Sequence, residues 1–416
     1  MQIRPMIVAA SLTTLMLCAA CATDPETKNA GTTAQATPPP PAAADSTPPP
    51  LPGPAVLTPV VGRVLAAPIP VPATDGKTHL AYELVLNNTT PQDVTLTGVD
   101  VRAGDRTLLS LPGERLTYWT RLAGNPVPTT TLGPAQTGYV WLDVAVDPDE
   151  AVPAELSHTV AISVTDPSPP LIPASLTENI APVTVQTRQP ISIAPPLKGP
   201  NWLDGDSCCD MSAHRTALNP LDGEIWAAER FAIDYVQLGP DGRLFTGDEA
   251  QLDSYPYVGS DVVAVGEGPV VSVVDGLPEQ VPGSAPTDLP LEEYGGNHVV
   301  QDLGGGNYAF YAHLQTGSVQ VQPGDHLSTG QVLGALGNSG NSDAPHLHFH
   351  VMSTPDPLRS NGLPFVFTDF RLDSRSTGDL DALLGGKPAE LEPGFAPRDE
   401  SGTSPLVYDV MTYAES

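Results

Sequence analysis

Ala344-Pro345-His346-Leu347-His348-Phe349-His350-Val351 puts three histidines two residues apart in a run that reads as a strand. Side chains alternate faces along a strand, so all three imidazoles point the same way. Histidine is the commonest neutral metal ligand and the usual general base near neutral pH. One sheet face crowded with imidazoles points to a metal site or a catalytic site. The alternative is an exposed polar strand face.

Composition narrows the partners. The formal net charge is -30, from 48 Asp and Glu against 18 Lys and Arg. Phosphate contact needs clustered Lys and Arg, so a nucleic-acid partner is excluded. The same deficit argues against electrostatic docking on an anionic membrane surface. With 48 Pro and 38 Gly and only 16% charged residues, the chain calls for turn-rich β structure and linkers. Its 416 residues allow two or three domains with cores of their own.

The first 21 residues read as a leader. Arg4 is followed by an apolar run from Met6 to Leu17, too short for a stable membrane span. Cys18-Ala19-Ala20-Cys21 then resembles a bacterial lipoprotein cleavage box, with Cys21 as the lipidated residue and Cys18 standing where Leu is usual. Ordinary secretion with cleavage near Ala20 is the alternative. Ala22 is not the Asp that retains Gram-negative lipoproteins in the inner membrane. The expectation is therefore an outer-membrane lipoprotein facing the periplasm, attached to the membrane through its lipid anchor. Only Cys208 and Cys209 would remain in the mature chain. A disulfide between such neighbours is uncommon, and thiolate coordination of a metal is a second option.

Residues 22–54 are rich in Pro, Ala and Thr and form a spacer. Residues 55–188 hold short alternating runs divided by turn signals. Leu80–Leu86 ends at Asn87-Asn88, and Val94–Leu96 leads into Val99–Val101. Tyr139–Val144 and Val160–Val164 follow. The pattern predicts an antiparallel, immunoglobulin-like β-sandwich that binds or positions. His79 and His158 are isolated and read as structural. Residues 199–373 are again strand and turn and include the histidine run. Residues 374–416 read as a polar tail ending in one strand, Pro405–Met411, that pairs with an edge of either domain.

Upstream of the histidine run stand Tyr311-Ala312-His313-Leu314, then Gly324-Asp325 with Gly330-Gln331, then Gly337-Asn338-Ser339-Gly340. In this order, ending on His346-Leu347-His348, they resemble the catalytic core of the M23 (LytM / lysostaphin-type) zinc metallopeptidase family. The resemblance spans most of residues 257–351. It implies a small C-terminal antiparallel β-sheet domain with an active-site groove that holds one Zn2+, which together with the N-terminal sandwich makes an all-β chain. It implies action on peptide bonds in peptidoglycan cross-links or stem peptides. By the same resemblance His348 is a metal ligand, and His313 and His346 are the catalytic pair. His350 extends past the motif, where Glu is frequent, and reads as rim or structural. His298 and His326 lie outside it and read as structural.

The remaining ligands of that family come from a His-x-Gly-x-Asp strand. Here the matching segment is Arg230-Phe231-Ala232-Ile233-Asp234. Asp234 fits the carboxylate ligand. Arg230 carries a guanidinium with no lone pair and cannot replace the histidine. One arrangement supplies the third ligand from His214, across a hairpin at Asn219–Gly223. If Leu218 pairs with Glu224, His214 shares the sheet face of Arg230 and Asp234, and a slip of one residue turns it away. Arg230 then serves Asp234 or a substrate carbonyl as a charged donor. In the other arrangement Arg230 pairs with Asp234, the metal is lost, and the protein regulates other cell-wall hydrolases. A wall-binding structural lipoprotein is a third class.

Overall fold

Period-two alternation builds strands where the sequence shows it. Thr78–Asn88 is one strand, buried from His79 to Leu86. Its even positions Leu80, Tyr82, Leu84 and Leu86 enter the core of an N-terminal sandwich. Its odd positions Ala81 and Val85 enter separate apolar clusters with residues of the following domain, among them Phe231 and Met211. Glu83 lies between them on that second face. This parity decides how the two halves of the chain meet.

The computed structural model describes residues 56–378 and 380–415. The leader, Cys21 and the spacer expected over residues 22–54 lie outside the described residues. From Val56 onward the chain forms one compact unit.

The sandwich consists of two five-stranded antiparallel sheets around a shared apolar core. Thr78–Asn88 pairs with Thr137–Val146, and Val94–Ala103 pairs with Glu155–Val164. The runs at Val94–Leu96 and Val99–Val101 are a single strand, because a register shift between Leu96 and Gly98 absorbs the break.

The second half is built on an eleven-stranded sheet. Asn297–Gly304, Asn307–Leu314, Leu347–Met352, Ile233–Gln237 and Gly199–Gly205 lie side by side in that order, all antiparallel. The terminal strand is Asp409–Tyr413, and it occupies no edge. It sits between Gly199–Gly205 and Phe370–Arg375. The polar stretch before it is also partly regular, with a short helix at Leu380–Leu384 and a strand at Arg398–Glu400. Tyr235, Leu347, Phe349, Val351 and Tyr311 fill the core on one side of the sheet. The residues of opposite parity face a cleft.

Cys208 and Cys209 form a disulfide between neighbours. It is buried in the apolar cluster of Val71, Ala81, Phe231 and Val366, between the two halves. Bonded sulfurs offer no thiolate, so coordination through this pair does not occur here. His79 is ion-paired to Asp143 and Asp75, and His158 is hydrogen-bonded to Tyr82 and the Ala181 carbonyl, both as structural groups.

Candidate metal centre

The strand Leu347–Met352 lies between Ile233–Gln237 and Asn307–Leu314. His348 is in register with Asp234 on one side and with Ala312 on the other. Its Nδ1 lies 2.9 Å from Asp234 Oδ1. His346 stands just before the strand, and its Nε2 is 3.3 Å from the same oxygen. The other carboxylate oxygen, Oδ2, lies 3.3 Å from His214 Nε2. Asp234 thus has three imidazoles around it.

His214 arrives by a route that strand parity did not foresee. The hairpin exists, but its register pairs Leu221 with Glu224 around the two-residue turn Asp222-Gly223. Both turn residues have positive φ, 51° and 83°, the requirement of a tight type I′ turn. His214 lies beyond the hairpin in a single helical turn, Ala213–Thr216, capped by the Ser212 side chain on the Arg215 amide. The His214 Nδ1–H donates to the Ala232 carbonyl at 3.2 Å. That bond leaves Nε2 as the free ligand atom, the usual way an outer partner sets a metal-binding tautomer.

Arg230 is not in this cleft, which corrects the expectation that it assists Asp234 or a substrate. The strand begins only at Ile233, and residues 228–231 form a turn closed by the Ala232 amide on the Glu229 carbonyl. The turn breaks the alternation that would have aligned Arg230 with Asp234. Its guanidinium instead meets Glu83 of the sandwich, at 2.9 Å from Nε to Oε1 and 2.5 Å from Nη2 to Oε2. The Arg230–Asp234 ion pair on which the metal-free arrangement depended is therefore not formed.

His313 closes the strand Asn307–Leu314 with φ of 59°, a left-handed conformation of the kind stored at functional sites. Its Nδ1–H donates to the Ser339 carbonyl at 2.7 Å, since a carbonyl only accepts. The His346 Nδ1–H likewise donates to the Ala344 carbonyl at 2.7 Å. Both rings then present Nε2, and their centroids are 4.7 Å apart. Ser339 is itself held by its hydroxyl on the Leu314 carbonyl and by the Asn297 amide. The Gly-Asn-Ser-Gly segment is thus the support for the His313 ring.

His350 is fully buried, so it is no rim residue. Its Nδ1 lies 2.9 Å from His348 Nε2, and its own Nε2 has no hydrogen-bond partner. His298 also lines the cleft wall, with Nδ1–H on the Gly296 carbonyl, whereas His326 is exposed on a two-residue strand away from it. The shared parity of His346, His348 and His350 was the signal that placed His350 beside the centre. The cleft holds about 1010 Å³ and is lined by His214, Asp234, His313, His346, His348 and His350 among others.

Two overlapping trios have ligand atoms within 4.8 Å of one another: His214, Asp234 and His348, and His313, His346 and His348. The first joins two imidazoles and one carboxylate, a donor set suited to a catalytic Zn2+ with an open position. Burial opposes charge on His214, but the Asp234 carboxylate raises its pKa to about 10. Burial opposes charge on His346 too, and Asp234 again raises it. Burial works against ionisation of Asp234, yet His214 and His346 hold it well below the usual carboxylate range. Burial, then the neighbouring imidazoles, hold His313 well below the usual histidine range, so it is neutral. The cleft without metal holds one carboxylate among three imidazoles, with neutral His313 beside it.

Residues 252–360 match the model of Peptidase family M23. The match contains His313, His346 and His348 and begins downstream of Asp234. An endolysin of Staphylococcus phage 2638A is 26% identical over 33% of this chain and 25% of its own length. The glycyl-glycine endopeptidase ALE-1 of Staphylococcus capitis is 29% identical over 29% of each. The chain thus spans about a quarter of the length of the curated relatives it matches. The catalytic domain of lysostaphin from Staphylococcus simulans aligns with 38% of this chain and 84% of its own, at 20% identity and a TM-score of 0.21. These relatives correct the expectation of an outer-membrane lipoprotein facing a periplasm. They come from staphylococci and a staphylococcal phage, whose cells have neither compartment. Among the described residues no helix is long and apolar enough to cross a membrane. A leader and one residue after Cys21 carry no information about the host's envelope.

Proposed function

We propose that this chain, which carries a peptidase family M23 segment at residues 252–360, is a zinc metallopeptidase that hydrolyses peptide bonds of peptidoglycan. The observation that carries this reading is the convergence of His214 and His348 on Asp234, with His313 and His346 alongside. His214, Asp234 and His348 would hold the metal. A bound zinc supplies a Lewis acid and a water whose pKa is lowered toward neutrality.

The chain's own groups divide the remaining work. His313 has its Nδ1–H committed to Ser339, so its Nε2 lone pair takes a proton from the nucleophile and returns it to the leaving amine. His346 also has its Nδ1–H committed to Ala344, but against burial Asp234 raises its pKa. As an imidazolium it carries an Nε2–H as well, which donates to the developing oxyanion. The fixed Nδ1–H bonds spare both rings a reorganisation during reaction. His350 orients His348 from behind. The open cleft beside these groups accommodates an extended peptide.

The test is zinc content of the purified chain with release of soluble muropeptides from purified walls. The reading expects one zinc per chain, lost in His348→Ala and in His214→Ala, with wall release in the parent protein. Full zinc in His214→Ala would remove that ligand from the set. Absence of both zinc and release would overturn the enzyme and favour a regulator of other wall hydrolases.

A further inference from the structure

Glu83, a carboxylate of the sandwich, connects to both chain segments that flank the metal centre. It is fully buried on the second face of Thr78–Asn88. It accepts Nε and Nη2 of Arg230, and Arg215 Nη1 approaches its Oε1 at 3.4 Å. Arg215 is the residue after His214. Its side chain is wholly buried, and its Nη2 donates to the Leu142 carbonyl on the neighbouring sandwich strand at 3.3 Å.

The turn Ala213–Thr216 has four residues. A helix so short has no stability of its own and keeps its place by tertiary contacts. Arg215 anchors it on the sandwich, and His214 leaves the same turn toward Asp234. On the other side, Arg230 anchors the turn that leads into the Asp234 strand. One carboxylate therefore ties together the two segments whose separation sets the His214–Asp234 distance.

We infer that Glu83 is a positioning residue for the metal centre: through Arg215 it holds the helical turn that aims His214 at Asp234, so metal affinity depends on the docked sandwich. The inference rests on the reading of His214, Asp234 and His348 as the zinc ligands. It also assigns a use to the Arg at position 230. That side chain is an anchor to the sandwich, and the ligand comes from a segment anchored on the same carboxylate.

The test uses the full chain and two readouts, zinc affinity by competition with a chelating dye and melting temperature of the metal-free protein. Arg215→Met leaves the Glu83–Arg230 pair in place, and Glu83→Gln keeps the side-chain shape. Val99→Ala, in the sandwich core away from this contact, controls for lost stability. Arg215→Met and Glu83→Gln are expected to bind zinc about 10–100-fold more weakly, as loss of an outer-shell partner does. Arg215→Lys should restore most of that affinity, and Val99→Ala should keep parental affinity while melting earlier. Parental affinity in Arg215→Met, or an equal loss in Val99→Ala, would overturn the positioning role. Should Arg215→Met not fold, Glu83→Gln carries the same comparison. A parent chain that binds no zinc overturns the ligand reading itself, and the positioning role with it.

Discussion

The Arg230 guanidinium lies against Glu83, 147 positions earlier, although Asp234 is four residues away in the chain. The turn at residues 228–231 sends the side chain to the sandwich, and buried Glu83 offers it a bidentate partner. An arginine at this position therefore leaves Asp234 free to gather the three imidazoles.

Arg230→His introduces the histidine that the resemblance to M23 peptidases leads one to expect at this position, yet it should not add a ligand. It removes the main partner of a buried carboxylate, and breaking such a pair costs about 3 kcal/mol or more. Denaturant unfolding should show that loss, and chelator competition should show zinc affinity no higher than in the parent. A tighter site in Arg230→His would contradict the geometry of this turn.

His313→Ala and His346→Ala should keep zinc and lose turnover. Neither is in the proposed ligand set, and removal of a positioned acid–base group lowers rates by about 100–10,000-fold. Zinc content measured beside wall-peptide release separates these variants from His348→Ala, which should lose both.

Gly340→Ala should damage both folding and turnover. Gly340 has φ of +76°, and a Cβ there would collide with Gly296. The neighbouring Ser339 carbonyl is the acceptor that sets the His313 tautomer. A left-handed alanine costs about 1–2 kcal/mol before the collision is counted. A lowered melting point together with a fall in kcat is the expected result. An unchanged kcat would separate the loop from the base.

Glu178 makes stability depend on pH within the sandwich. Its Oε1 accepts the Val60 amide, its Oε2 has no partner, and burial raises its pKa to about 7 from 4.5. Between those values the native state holds a proton that the unfolded chain has released. Stability therefore falls as pH rises through that window and stays lower above it. Glu178→Gln should stabilise the chain by about 1–3 kcal/mol at pH 8 and change little near pH 4. Melting curves at the two pH values decide it, and a larger gain at pH 4 would reverse the sign.

Much of this architecture is legible locally. The spacing of His346, His348 and His350 sets their common face, because side-chain direction in a strand follows from the backbone alone. Alternation likewise locates Thr78–Asn88 and Asn307–Leu314, and the resemblance to M23 peptidases singles out Asp234 and His348 as the proposed ligands. The pairing of His348 with Asp234 is the register that places those two groups together.

Other features depend on contacts between distant segments. His214 reaches Asp234 from a helical turn, whereas a hairpin in one particular register was expected to bring it there. The last strand is inserted within a sheet because partners on both sides leave that place open, which its own residues do not record. The direction of Arg230 was set by a four-residue turn and by Glu83 waiting on the opposite domain. Backbone periodicity carries a side chain's direction only while the chain stays regular. Once a turn intervenes, the partner that satisfies a buried charge decides where it goes.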